Sequence, residues 1–205
     1  TFFGTQRGIV AADVDLNDDH WPLWEAIQRR TFPGSVSNHH LGTLVGLLMA
    51  AYEMNAFKDA YQRQVLANAR ALAGALNDTG LEVAGDPALG FTETHQVIVQ
   101  VGYARGPEIA QRLEDNNIVV NYQAGPTEEG FTASGALRMG LAEMTRFGMR
   151  EQHMPQLAQL IHDVVAKGRP VKAEVAAFRR NFREMQFCFP EESLGDGVAR
   201  ILEHV

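Results

Sequence analysis

Apolar residues recur at helical spacing over two long stretches of this chain. Leu41, Leu44, Val45 and Leu48 form one stripe on a helix expected from His39 to about Met54, with Gly42 and Gly46 four apart on it as close-packing positions. Tyr61, Val65, Ala69, Leu72 and Leu76 predict a second helix from Phe57 to Leu76, ended by the turn residues Asn77-Asp78-Thr79-Gly80. Upstream, Asp18 or Asp19 can cap a shorter helix running from Pro22 to Arg30, and Pro33-Gly34 then breaks it. The run Gly8-Ile9-Val10-Ala11-Ala12 is continuously apolar and reads as a strand buried on both faces.

Beyond Gly80 the pattern changes. Leu81-Glu82-Val83 predicts a short strand, and Gln96 to Val101 a clear one by alternation and β-branched content. Gly106-Pro107 opens a helix to about Asn116. Ile118-Val119-Val120 and Leu137 to Gly140 predict two further strands, followed by helices over Glu151 to Lys167 and Pro170 to Glu184. The fold class is α/β, with a boundary near Asn77 to Asp86. The strand at Gly8 to Ala12 has no sheet partner before Gly80, and a lone buried strand cannot satisfy its backbone groups. The first third is therefore expected to be the tail of a larger α/β domain. Thr rather than Met at position 1 fits a processed or truncated end.

Composition narrows the functional classes. The chain has 205 residues, 45% hydrophobic and 21% charged, which suits a folded globular protein. Its net charge of −7 argues against a nucleic-acid partner, which requires a clustered basic surface. No apolar run approaches the roughly 18 residues of a membrane span, and Arg7 interrupts the start, so neither a membrane partner nor a signal peptide is expected. The lone Cys188 excludes an internal disulfide and fits a reducing, cytoplasmic setting. Between Phe187 and Phe189 it reads as a packed thiol.

Candidate chemistry is sparse. Asp13-x-Asp15-x-Asn17 starts like a calcium loop, but Asp18 and Trp24 occupy the positions needing Gly and Glu. His39 and His40 are adjacent and point apart on a helix; His153 and His162, nine apart, are expected to be exposed; no metal site follows from either pair. Gly4-Thr5-Gln6-Arg7-Gly8 precedes a strand and reads as a tight turn. Arg138 stands out. It lies in Thr132-Ala133-Ser134-Gly135-Ala136-Leu137-Arg138-Met139-Gly140, with no acidic residue within four positions. A guanidinium in such surroundings needs an anionic partner, and its fork suits a carboxylate. That partner is either a distant Asp or Glu in a structural ion pair or the carboxylate of a substrate.

Five stretches in order resemble the C-terminal half of serine hydroxymethyltransferase and related pyridoxal-phosphate enzymes of the aspartate-aminotransferase fold. They are Thr1 to Gly8, Phe32-Pro33-Gly34 with the helix after it, Thr92-Glu93-Thr94-His95-Gln96-Val97-Ile98-Val99, Asn117 to Asn121, and Ser134 to Gly140 followed by Thr145-Arg146-Phe147-Gly148-Met149. The likeness covers almost the whole chain. It implies the tail of a large cofactor-binding domain, one strand plus long helices, over residues 1–80, then a small α+β C-terminal domain over 81–205.

The resemblance also implies roles. Arg138 matches the arginine that binds the α-carboxylate of the amino-acid substrate. Ser37 and Asn38 match a small-residue turn that meets the phosphate of pyridoxal 5'-phosphate in the neighbouring subunit of a homodimer. Thr1 matches the residue after the Schiff-base lysine, which is then expected immediately before Thr1, and Gln6 falls in the turn beside it. No catalytic residue is expected within the chain, and the fragment alone is expected to be inactive. The implied reaction makes or breaks the Cα–Cβ bond of β-hydroxy amino acids, with an amino acid and an aldehyde or one-carbon donor as partners. Arg7 replaces the family's glycine, Ser37-Asn38 replaces its double glycine, and an extra residue separates Gly135 from Arg138. Gln123 stands where an Asn meets folate, and Gln123 to Phe131 replaces a Pro-rich loop. Tetrahydrofolate is therefore doubtful, and a threonine aldolase or transaldolase without folate is an alternative. An aminotransferase of the same fold, or a non-catalytic domain binding a small anion or a partner, are the others.

Overall fold

A computed structural model describes residues 3–6, 8–38, 40–125, 130, 133–190 and 195. The chain divides into two compact units, Phe2–Ala56 and Phe57–Val205.

The first unit holds helix α1 (Trp21–Thr31) and the opening turns of helix α2 (Leu41–Asp78). Pro22 sits in the first turn of α1, where its missing N–H costs nothing. The cap position belongs to His20; Asp18 acts two residues earlier, its Oδ1 accepting from the His20 backbone N–H at 2.7 Å and lying 2.8 Å from His20 Nδ1. Residues 8–12 form no strand, contrary to the expectation from their apolar run, and Ile9 is 71% exposed. The physical reason is the one their sequence context anticipates. Among the described residues no neighbouring strand offers them a hydrogen-bond ladder. Gly4, at φ +105°, packs against α2: a Cβ there would come within 2.9 Å of the Ala50 Cβ. The Thr5 hydroxyl donates to the Thr43 carbonyl at 3.2 Å. Gly42, expected as a close-packing position, instead faces open space.

Where two helices were expected, α2 is a single helix of 38 residues, about 57 Å long. Met54-Asn55-Ala56-Phe57 contains neither Gly nor Pro, so nothing in the backbone breaks it. No helix among the described residues is long and apolar enough to cross a membrane.

The second unit begins with the later turns of α2. A four-stranded antiparallel sheet follows, in the order β1-β2-β4-β3, from β1 (Glu82–Val83), β2 (Gln96–Gln100), β3 (Asn121–Gln123) and β4 (Ala136–Gly140). Helices α3 (Gly106–Asp115), α4 (Ala142–Arg146), α5 (Met154–Val165) and α6 (Lys172–Arg179) complete it. The alternation read from Gln96 onward is real: Val97 and Val99 are buried and pair in register with Met139 and Leu137. These four side chains meet Ile109, Leu113, Met154, Ala158 and Ile161 in one core.

The strand expected over Ile118 to Val120 lies three residues later. Asn117, at φ 65°, takes the left-handed position after α3; its N–H bonds the Glu114 carbonyl and that of Ile118 bonds Leu113. This is a Schellman closure. It commits Ile118 to the helix end, packed on the core, and leaves Val119 82% exposed. The last helix, α6, is shorter than expected. Its start is held by the Val171 N–H on Asn116 Oδ1 at 2.6 Å. Past its end the chain turns tightly so that Phe182 packs on Phe178 and His153, with ring centroids 5.1 and 4.7 Å apart. Phe187 and Phe189 then lie on Tyr61 and Phe57 of α2, so the aromatic residues of this tail do pack. Half-buried Cys188 donates its thiol to the Met185 carbonyl at 3.5 Å.

Two polar clusters hold these elements in place. Fully buried Asn68 of α2 donates from Nδ2 to Thr145 Oγ1 at 2.8 Å and to the Met149 carbonyl at 2.9 Å. Asp163 of α5 accepts from Lys167 Nζ and Gln159 Nε2, both at 2.9 Å, and takes two N–H groups of Arg169 at 2.8 and 3.1 Å. Beside it His162, expected to be exposed, has only 18% of its side chain accessible, because α5 turns that face toward the core.

The hydrogen bonds from Lys167, then those from Arg169, hold the Asp163 carboxyl far below its ordinary value near 3.8. A depressed carboxyl stabilises the fold above its unfolded value, and the contribution is lost as pH falls through the folded one. Asp163→Asn is accordingly expected to lower the melting temperature fully above about pH 5, with the gap to the parent protein closing as pH drops below about 4. Thermal melts across that range check it; a gap independent of pH would show that the carboxylate charge is not what stabilises this corner.

Candidate functional site

Arg138 occupies the middle of β4, itself an inner strand of the sheet. Side chains alternate along a strand, so Leu137 and Met139 enter the core while Arg138 stands on the other face. Its cross-strand neighbours are Ile98 of β2 and Asn121 of β3. The strand is aimed by the segment before it. Val101, Ala104 and Gly106 donate backbone N–H groups to the carbonyls of Gly135, Ala133 and Ser134 at 2.8, 2.6 and 2.8 Å. A Cβ on Gly106 would lie 2.2 Å from the Ser134 carbonyl oxygen, so only glycine lets α3 start this close to β4.

The Arg138 guanidinium is half-buried, and no carboxylate among the described residues pairs with it. The structural ion pair considered above is not formed there. A guanidinium held on a sheet face without an internal acid is a ready receptor for an anion with two oxygens.

His95 joins it. The Thr92 and Thr94 hydroxyls accept the backbone N–H groups of Thr94 and Gln96 at 3.1 and 3.2 Å, shaping the turn that presents His95. The His95 carbonyl accepts from Leu141 N at 3.0 Å, which brings the ring to the end of β4, within reach of Gly140. Burial lowers the His95 pKa, and positive charge nearby, that of Arg138 included, lowers it further, which favours the uncharged imidazole. In that form it has one ring nitrogen to donate and one to accept a hydrogen bond. His95 also borders a cavity of about 200 Å³ lined by Gln62, Val65, Leu66 and Thr94. In the sequence His95 marks only the entry to a strand; its approach to β4 depends on antiparallel register, which leaves no mark in local spacing.

Gln6, Ser37 and Asn38 fall in the first unit. Gln6 is exposed, as are Ser37 and Asn38 in the segment after the turn at Pro33-Gly34. Thr1 lies outside the described residues. So do positions 126–129 and 131–132 of the stretch after Gln123, while Gln123 itself is half-buried in β3 opposite Ala136.

Comparison with known proteins gives a consistent picture. A model of the serine hydroxymethyltransferase family matches residues 2–161. The serine hydroxymethyltransferase of Korarchaeum cryptofilum is 39% identical over 199 residues, covering 93% of this chain and 44% of that protein. That of Archaeoglobus fulgidus is 38% identical over 197 residues, covering 93% and 43%. Among solved structures, the L-threonine transaldolase of Pseudomonas fluorescens superposes with a TM-score of 0.78 at 27% identity, over 89% of this chain and 42% of that one. The chain spans less than half the length of these relatives.

Proposed function

The chain belongs to the serine hydroxymethyltransferase family, and from that premise we propose that the protein containing it makes and breaks the Cα–Cβ bond of β-hydroxy amino acids. The observation that carries the reading is the half-buried Arg138 guanidinium, presented by an inner strand with no carboxylate among the described residues to neutralise it. Arg138 binds the α-carboxylate of the amino acid through two parallel N–H···O bonds. A substrate held at that end keeps one orientation, and fixing the bond to be broken is itself a large part of such catalysis. His95, whose lowered pKa favours the uncharged form, adds a hydrogen bond from the same end of the sheet.

Pyridoxal 5'-phosphate is the cofactor this reading requires; when bound it supplies an electron sink for the negative charge left at the substrate α-carbon. The residues here are compatible with it. Ser37 offers an exposed hydroxyl to a phosphate, Asn38 is exposed beside it, and Gln6 is exposed in the same unit. In this reading Thr1 follows the cofactor lysine, residues 1–80 belong to the large domain and 81–205 to the small one. The working protein is a cytoplasmic homodimer. The solved transaldolase similarity and Gln123 in place of the folate-contacting Asn favour a second reading, a threonine aldolase or transaldolase acting on an aldehyde without folate.

Incubating the intact protein with glycine and acetaldehyde tests the proposal: a β-hydroxy amino acid is expected to accumulate. Serine cleavage that depends on added tetrahydrofolate selects the hydroxymethyltransferase reading; serine left intact with tetrahydrofolate present, while threonine is cleaved, selects the aldolase or transaldolase reading. Exchange of amino groups between an amino acid and a keto acid, with no aldol product, would make the protein an aminotransferase instead.

A further inference from the structure

A cavity of about 610 Å³ opens within the second unit, on the core side of the sheet. Its floor is apolar: Met139, Leu141, Met144, Met149, Ile161 and Phe178 all line it. Arg138, one residue from Met139, alternates to the opposite face and takes no part. The volume is in the range of small-molecule sites, in which mostly apolar walls carry a few polar groups.

The rim is where this cavity departs from a packing defect. Arg179, Arg180 and Arg183 line it, against the single acid Glu143. Three cations against one anion stand out in a chain whose net charge is −7. None of the three arginines has an ion-pair partner among the described residues. Arg179 is held over the Phe147 ring, 4.8 Å from its centroid, so its position is set before anything binds. Three methionines in the floor adapt to the shape of what enters.

We propose that this cavity binds an amphipathic carboxylate, an apolar body seated on the methionine floor and a single carboxylate on the arginine rim. A neutral hydrocarbon would fill the floor and leave the guanidinium groups unpaired. A small anion such as acetate would meet the rim and leave the apolar floor uncovered. Only a molecule with both parts satisfies both halves of the lining. Free fatty carboxylates and aromatic carboxylates share this chemistry, and the two are separable by experiment.

The test uses the intact protein, with decanoate and naphthoate as probes and acetate, decanol and decyltrimethylammonium as controls. Titration calorimetry is expected to show one saturable site per chain for decanoate, for naphthoate, or for both; the better of them identifies a chain-like or a flat body. Decanol is expected to bind about tenfold more weakly, the loss of a charge-assisted pair, and the cationic amphiphile not at all. The R180Q/R183Q double variant is expected to weaken carboxylate binding about tenfold and leave decanol unchanged. Both substitutions are on exposed side chains, so folding is not at stake. Methyl signals of Met139, Met144 and Met149 are expected to shift on saturation, which places the ligand independently of affinity. Equal binding of decanol and decanoate, equal binding of acetate, no saturation by either carboxylate, or unmoved methionine methyls would each overturn the assignment.

Discussion

Replacing Arg138 by Ala in the intact protein is expected to lower kcat/KM for the amino-acid substrate by roughly a hundred- to a thousandfold, the usual cost of losing a desolvated charge pair. The size follows from geometry. The guanidinium is half-buried with no internal acid among the described residues, so its electrostatic effect is reserved for a bound anion. Arg138→Lys keeps the charge but loses the planar fork and is expected to recover only part of the rate. Neither change removes a contact that holds the fold together: the side chain has no hydrogen-bond or ion-pair partner among the described residues, and the ladders to β2 and β3 are made by backbone. Melting temperatures are therefore expected to stay near that of the parent protein. Initial-rate measurements on all three proteins, alongside thermal melts, check this. Turnover untouched by Arg138→Ala would remove the arginine from substrate binding and return the unit to a non-catalytic reading.

The largest effect on stability is expected at the heart of the second unit. Leu113 of α3 is fully buried among Ile109, Val97 and the α5 side chains. Leu113→Ala removes its branched end and leaves a void that close-packed neighbours fill only in part, costing about 2–5 kcal/mol. Leu113 also supplies the carbonyl that receives the Ile118 N–H, so it sits where α3 closes and β3 is set up. Val119→Ala, six residues on, is expected to change stability by less than about 0.5 kcal/mol, because that side chain is already in water. Urea unfolding of the two variants measures the contrast. Similar losses from both would mean that Val119 packs after all.

Much of this architecture is legible residue by residue. The periodicity of Tyr61, Val65, Ala69, Leu72 and Leu76 marks the buried face of α2, and these positions are inside. The alternation in Gln96 to Gln100 identifies β2 and which of its residues enter the core. The run at residues 8–12 shows the limit of such reading. Apolar content proposes a strand, but a strand exists only when a second one satisfies its backbone. Ile118 shows another: three β-branched residues in a row look like a strand, yet a left-handed Asn117 takes the first of them for a helix end. Asn68 gave no signal at all, since nothing in its neighbours reveals that Thr145 and Met149 lie opposite.

The candidate site divides along the same line. Local chemistry singles out Arg138, because a guanidinium among small and apolar residues with no nearby acid is conspicuous in one dimension. Resemblance to a family supplies a role for it. Whether an acid from elsewhere in the chain neutralises it, and that His95 lies toward the same end of β4, are matters of register between β2 and β4. Amino-acid order governs what each segment prefers, since propensity and periodicity act over a few residues. Pairing, burial and charge compensation join residues far apart in the chain, and only the folded arrangement settles which of them meet.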